Sequence, residues 1–164
     1  MKAKRGNTAT FKIGGPEDTL RLAGLLAGLL EGGEAVSLTG MIGAGKTFFV
    51  QGLAHALGSK VRPVSASFNL MRTYRGGLNI YHFDLFRVAA SEMDNLGLED
   101  YLGRADGFTA IEWSEPARTL YRRCDFLELH FDLAGGDKRT VTASAGGTSA
   151  EKILKDLKKA WLTD

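Results

Sequence analysis

The stretch Gly40-Met41-Ile42-Gly43-Ala44-Gly45-Lys46-Thr47 constrains this chain more than any other. A glycine, four further residues and then Gly-Lys-Ser/Thr is the pattern of a loop that wraps phosphates between a strand and a helix. The chemistry calls for those residue types. Gly43 and Gly45 reach backbone angles that side chains disfavour, so successive N–H groups can turn toward one anion. The N-terminus of the helix that follows leaves further N–H groups for the same charge. Lys46 would reach the β- and γ-phosphates as a point charge, and the Thr47 hydroxyl would sit on Mg²⁺.

The flanks agree with that reading. Residues 35–39 form a short apolar run of the kind found in buried strands. Residues 48–57 predict a helix with Phe49, Val50, Leu53, Ala54 and Leu57 inside, stopped by Gly58. Thr8–Ile13 reads as an edge strand. Pro16, Glu17 and Asp18 then open a helix whose buried stripe is Leu20, Ala23, Leu26, Ala27 and Leu30, ended by Gly32 and Gly33.

Further along, residues 68–74 and 78–85 read as two strands around Gly76-Gly77. Residues 91–96 suggest a short helix, and 108–111 a compact strand ending in Glu112. Phe126–Leu133 alternates as a half-buried strand and turns through Gly135-Gly136-Asp137 into a partner over 140–143. Ser149 is expected to cap a last helix with Ile153, Leu154, Leu157 and Trp161 inside. Helix–strand alternation around a phosphate loop argues an α/β fold, a P-loop NTPase-like three-layer sandwich with a mixed central sheet. Residues 1–164 are read as a single domain.

Composition narrows the function. Hydrophobic residues at 44% and charged residues at 24% fit a soluble globular chain. A net charge of +2 is too small to argue nucleic-acid binding by bulk electrostatics. The lone Cys124 excludes an intrachain disulfide and a multi-cysteine metal site. The apolar run 22–30 is about half of a membrane span, and the basic start lacks the apolar stretch of a secretory signal. A cytoplasmic protein with no membrane association is the expectation.

A phosphate loop with Mg²⁺ needs an acid on a nearby strand end. Asp84 and Glu112 both qualify, and periodicity does not choose between them. Asp84 shares a strand face with His82, while Phe83 and Leu85 take the other. A hydroxyl in Ser65-Ala66-Ser67 could meet the γ-phosphate, although by itself the segment reads as an ordinary loop.

Taken in order and spacing, four blocks resemble the TsaE family, also called YjeE. They are Gly40–Thr47, Ser65-Ala66-Ser67-Phe68, His82-Phe83-Asp84-Leu85-Phe86-Arg87, and Glu112-Trp113. The family comprises small ATPases required in bacteria for the threonylcarbamoyladenosine modification of transfer RNA. The resemblance implies an Mg²⁺-dependent ATPase. Gly40, Gly43, Ala44, Gly45, Lys46, Thr47 and Phe48 would surround ATP, with Trp113 near the nucleotide. Thr47 and Glu112 would be the protein ligands of Mg²⁺. Asp84 would be needed for hydrolysis by positioning water. Ser67 stands where the family has its switch threonine. The implied partners are TsaD and TsaB, with transfer RNA met only through their complex. Departures from the pattern are Met41, Phe48 in place of a second hydroxyl, Ala66 in place of proline, and Phe86 in place of tyrosine.

The main alternative is a small P-loop kinase, with Arg118, Arg122 and Arg123 as a clamping lid. A GTPase lacks support because no Asn-Lys-x-Asp occurs. Arg87 is a candidate arginine finger, but it reads more simply as a surface residue. Lys152, Lys155, Lys158 and Lys159 read as the solvated face of the last helix.

Overall fold

Two strands that are buried along their length organise the molecule. In β2 (Ala35–Gly40) the first four residues are buried, and in β5 (Gly107–Glu112) all six are. Such unbroken burial belongs to parallel strands covered on both faces. The two pair in parallel, Ala35 opposite Thr109 and Leu38 opposite Glu112. The structure, a computed structural model, describes residues 7–64 and 70–163.

Seven strands form one mixed sheet in the order β1-β7-β6-β2-β5-β4-β3. The others are β1 (Thr8–Ile13), β3 (Met71–Tyr74), β4 (Asn79–Asp84), β6 (Phe126–Leu133) and β7 (Arg139–Gly146). Strands β6, β2, β5 and β4 run parallel, while β1, β7 and β3 pair antiparallel. The parallel set brings the carboxyl ends of β2, β4 and β5 to one edge, the usual place for a site in such sheets.

Helices α1 (Pro16–Ala27), α2 (Lys46–Ala56) and α4 (Thr148–Thr163) cover one face. Val36, Leu38, Phe108, Ala110, Leu127 and Leu129 meet them there, with Phe49 of α2 edge-on to Phe131. Burying a side chain such as Phe49 contributes about 2–3 kcal/mol. The opposite face is covered over β4, β5 and the start of β2 by 3₁₀ turns at Ala90–Asn95, Leu98–Asp100 and Glu115–Ala117 and by the single turn α3 (Arg118–Tyr121). No helix among the described residues is long and apolar enough to cross a membrane.

The α/β sandwich with a mixed sheet is as the sequence indicates, and local details differ. Leu20 is exposed at 43%, and Leu22 takes its place in the stripe Thr19, Leu22, Ala23, Leu26, Ala27. With Pro16 opening the helix, that set holds the i, i+3, i+4, i+7 spacing of one face. The helix stops at Ala27 with Gly28 as its cap, before Leu30, which is buried from the loop. Ser149 lies inside α4. The helix start is served instead by Asp125, whose Oδ1 accepts from the amides of Ser149 (3.2 Å) and Ala150 (3.3 Å).

Candidate functional site

The 40–47 loop leaves the end of β2 and runs directly into α2. Gly40, Gly43 and Gly45 all have positive φ (133°, 79° and 106°), with Gly45 as the left-handed cap of the helix. The first turn of α2 contains no acid, so the helix's own side chains do not offset the positive end of its dipole. Lys46 folds back over the loop. Its ammonium donates to the carbonyls of Gly40 (2.6 Å) and Met41 (2.9 Å) and lies 4.2 Å from the centre of the Trp113 ring. Burial pushes that ammonium below its ordinary value, while the charges of Glu112, Glu115 and Asp84 draw it partly back.

The strand order decides which acid meets the loop. Because β5 is the neighbour of β2, Glu112 stands beside Thr47, whose hydroxyl donates to Glu112 Oε1 at 2.7 Å. On the next strand out, His82 places Nε2 2.5 Å from Glu112 Oε2. Against a carboxylate oxygen, Nε2 is the donor. The ring is fully buried, and Nδ1 meets no hydrogen-bond partner among the described residues. Asp84 pairs in register with Glu112, is 3% exposed, and accepts from the Phe86 amide at 3.1 Å. Thr47 and Glu112 thus present two hard oxygens side by side. No group of three or more His, Cys, Asp or Glu forms a metal cluster among the described residues. That donor set suits Mg²⁺, which takes one or two protein ligands and leaves the rest to water and phosphate.

These groups line a cleft of about 360 Å³. Gly43, Gly45, Lys46, Thr47, Phe48, Asp84, Glu112 and Trp113 reach it, joined by Ile42 and Phe86. Two of the anticipated residues do not. Gly40 sits against β6 and gives its carbonyl to Lys46. Ala44 is 1% exposed in the core beneath the loop, and its amide donates to Met41 O at 3.1 Å. Ser67 lies outside the described residues. Trp113 carries a positive φ of 54°, unusual for a bulky residue. Its amide bond to Leu38 O (3.0 Å) and its ring contact with Phe86 (4.8 Å) hold it at the cleft wall.

The candidate lid arginines face elsewhere. Arg118 and Arg122 bond Glu128 on the uncovered sheet face, together with the Tyr121 hydroxyl, and Arg123 pairs loosely with Glu99. A second polar hollow of about 290 Å³ lies there, between Ser37, Thr39, Glu128 and Thr142. It contains none of the loop's residues.

A family model for "Threonylcarbamoyl adenosine biosynthesis protein TsaE" matches residues 13–141. The chain belongs to the TsaE family. It is 32% identical over 145 residues to the tRNA threonylcarbamoyladenosine biosynthesis protein TsaE of Bacillus subtilis, covering 88% of this chain and 90% of that one. The corresponding Rickettsia felis protein is 35% identical over 147 residues, with 88% and 83% covered. The crystal structure of Bacillus subtilis YdiB aligns with a TM-score of 0.78 at 30% identity, over 93% of this chain and 95% of that one.

Within this TsaE-family fold, sequence reasoning missed two site contributors. The sequence pattern puts His82 on the face of Asp84 but gives no contact with Glu112. Its buried position between Tyr81 and Phe83 was the available signal. Arg139 touches the loop from 95 residues away, and no local pattern marks it.

Proposed function

We propose that this chain is an Mg²⁺-dependent ATPase that supports the threonylcarbamoyladenosine modification of transfer RNA, working with TsaD and TsaB. The observation that carries the reading is the Thr47 hydroxyl set 2.7 Å from Glu112 at the foot of α2, with Lys46 buried beside them. The shared family supplies the process, since the relatives are named for threonylcarbamoyladenosine biosynthesis.

The residues divide the work. The loop N–H groups and Lys46 would bind the β- and γ-phosphates, and Thr47 and Glu112 would hold Mg²⁺. The metal supplies charge neutralisation across the phosphate oxygens when bound. His82 fixes the Glu112 carboxylate by its second oxygen. Asp84, beside Glu112 on the adjacent strand, orients the attacking water. Phe86 and Trp113 screen the site from bulk solvent. No arginine lines the cleft among the described residues, and Arg87 is exposed. Turnover by the isolated chain is therefore slow, and a partner raises it.

The test is phosphate release from ATP, with Mg²⁺ or EDTA, with and without TsaB and TsaD. The reading requires Mg²⁺-dependent release that rises with partners and is lost in Asp84→Asn. Transfer of labelled phosphate to a small-molecule acceptor in place of water would instead make the chain a kinase. Arg118 and Arg122, engaged by Glu128, do not favour that outcome.

A further inference from the structure

The turn between β6 and β7 carries a side chain that none of the motifs contains. Arg139 opens β7 on the strand face of Val141 and Ala143, the face that also carries α2. Its guanidinium donates to four backbone carbonyls. Nη1 reaches Gly136 O (2.7 Å) and Lys138 O (2.9 Å) in its own turn. Nε reaches Ala44 O and Nη2 reaches Gly43 O, each at 3.3 Å. One planar cation thus joins the hairpin turn to the 40–47 loop.

That contact adds to the bonds that hold the loop from within, from Lys46 Nζ to the Gly40 and Met41 carbonyls and from the Ala44 amide to Met41 O. A Cβ built on Gly43 or Gly45 would meet nothing within 4 Å, so both positions face open space on that side. The loop has to aim N–H groups at an anion, and in a trans peptide the carbonyl points opposite to the N–H of the same plane. Gripping the outward carbonyls of Gly43 and Ala44 therefore sets the plane that carries the Gly45 amide, together with the plane of the Ala44 amide, which is itself bonded to Met41 O. The two bonds are long, but they come from one rigid fork already seated on the turn.

We propose that Arg139 is a positioning residue for the phosphate site, bracing the loop from behind through its outward carbonyls and tying it to the β6–β7 hairpin. The effect is preorganisation: the N–H groups are aimed before the anion arrives, so binding orders less chain. This rests on reading the loop as the triphosphate site.

Arg139→Met keeps the stem and removes the donors, and Arg139→Lys keeps the charge but not the fork. Calorimetric titration of each full-length protein with ADP and Mg²⁺ is the assay, with Lys46→Ala as control and amide hydrogen exchange of the nucleotide-free proteins as a second readout. Arg139→Met is expected to bind roughly tenfold more weakly. Its loop amides over residues 43–47 exchange faster, and its melting midpoint stays close to the parent. Arg139→Lys is expected to recover only a minor part of the affinity. Unchanged binding by Arg139→Met, with binding lost in Lys46→Ala, overturns the brace and leaves the site reading intact. Full recovery by Arg139→Lys overturns it too, assigning the effect to charge. No binding by the parent protein removes both. Should Arg139→Met melt early, loop exchange in Arg139→Lys decides: parental rates refute the brace.

Discussion

Replacing Gly40 by alanine should cost far more stability than the same change at Gly43, although both glycines belong to one loop. At Gly40, φ is +133° and an added Cβ would stand 2.4 Å from the carbonyl oxygen of Phe131, its partner on β6. Ordinary contact begins at 3.4 Å, so β2 and β6 would have to part by about 1 Å at that point. The backbone conformation costs ~1–3 kcal/mol for a residue with a side chain. Overpacking between two central strands adds ~1–3 kcal/mol. At Gly43, φ is +79° and nothing lies within 4 Å of the added methyl, so only a left-handed penalty of ~1–2 kcal/mol applies. Urea unfolding followed by circular dichroism reads the difference. With a slope of about 2 kcal/mol per molar, Gly40→Ala should lower the midpoint by ~1–3 M and Gly43→Ala by under ~1 M. Equal midpoints, or a larger fall for Gly43→Ala, would refute the assignment of Gly40 to strand packing and Gly43 to open loop.

Two further perturbations probe the site and the sheet. His82→Phe removes the second partner of Glu112 and should weaken Mg²⁺ affinity by about 10- to 100-fold in a metal titration of the ADP complex. Binding of ADP in EDTA should hardly change. Glu128 tests the uncovered face. Burial pushes its carboxyl up, but the Tyr121 hydroxyl and the Arg118 and Arg122 guanidiniums outweigh that and hold it below its ordinary value of 4.5. A carboxyl lowered in the folded state stabilises fully above the unfolded value, and that stability is lost as pH falls through the folded one. Glu128→Gln should therefore be less stable than the parent by about 1–2 kcal/mol at neutral pH, and the gap should close below pH ~4.5 in urea midpoints taken across the acid range.

The parts of this molecule legible in the sequence are those fixed by neighbours in the chain. The strand, loop and helix around Gly40–Thr47 announce themselves because glycine, lysine and apolar spacing act within residues 35–57. The choice between Asp84 and Glu112 beside Thr47 was not legible, because it depends on β5 rather than β4 pairing with β2. Leu20 was misplaced because Leu20, Leu22, Leu25, Leu26, Leu29 and Leu30 surround the first helix region, so periodicity left its rotation undetermined. The length of β7 was underestimated for a related reason. Ser144, Ala145 and Gly146 look like loop residues, yet they extend the ladder opposite Glu128, Leu127 and Phe126. The grips of Asp125 on α4 and of Arg139 on the loop join residues 24 or more apart in the chain, which no local signal encodes.

The most direct measurement is a calorimetric titration of a non-hydrolysable ATP analogue into the parent chain and Glu112→Gln, each with Mg²⁺ and with EDTA. If Thr47 and Glu112 anchor a metal on a triphosphate held by residues 40–47, the parent binds more tightly with Mg²⁺ than with EDTA, and Glu112→Gln binds equally in both. A parent chain that binds no analogue, or a Glu112→Gln protein that keeps the full response to Mg²⁺, contradicts the account.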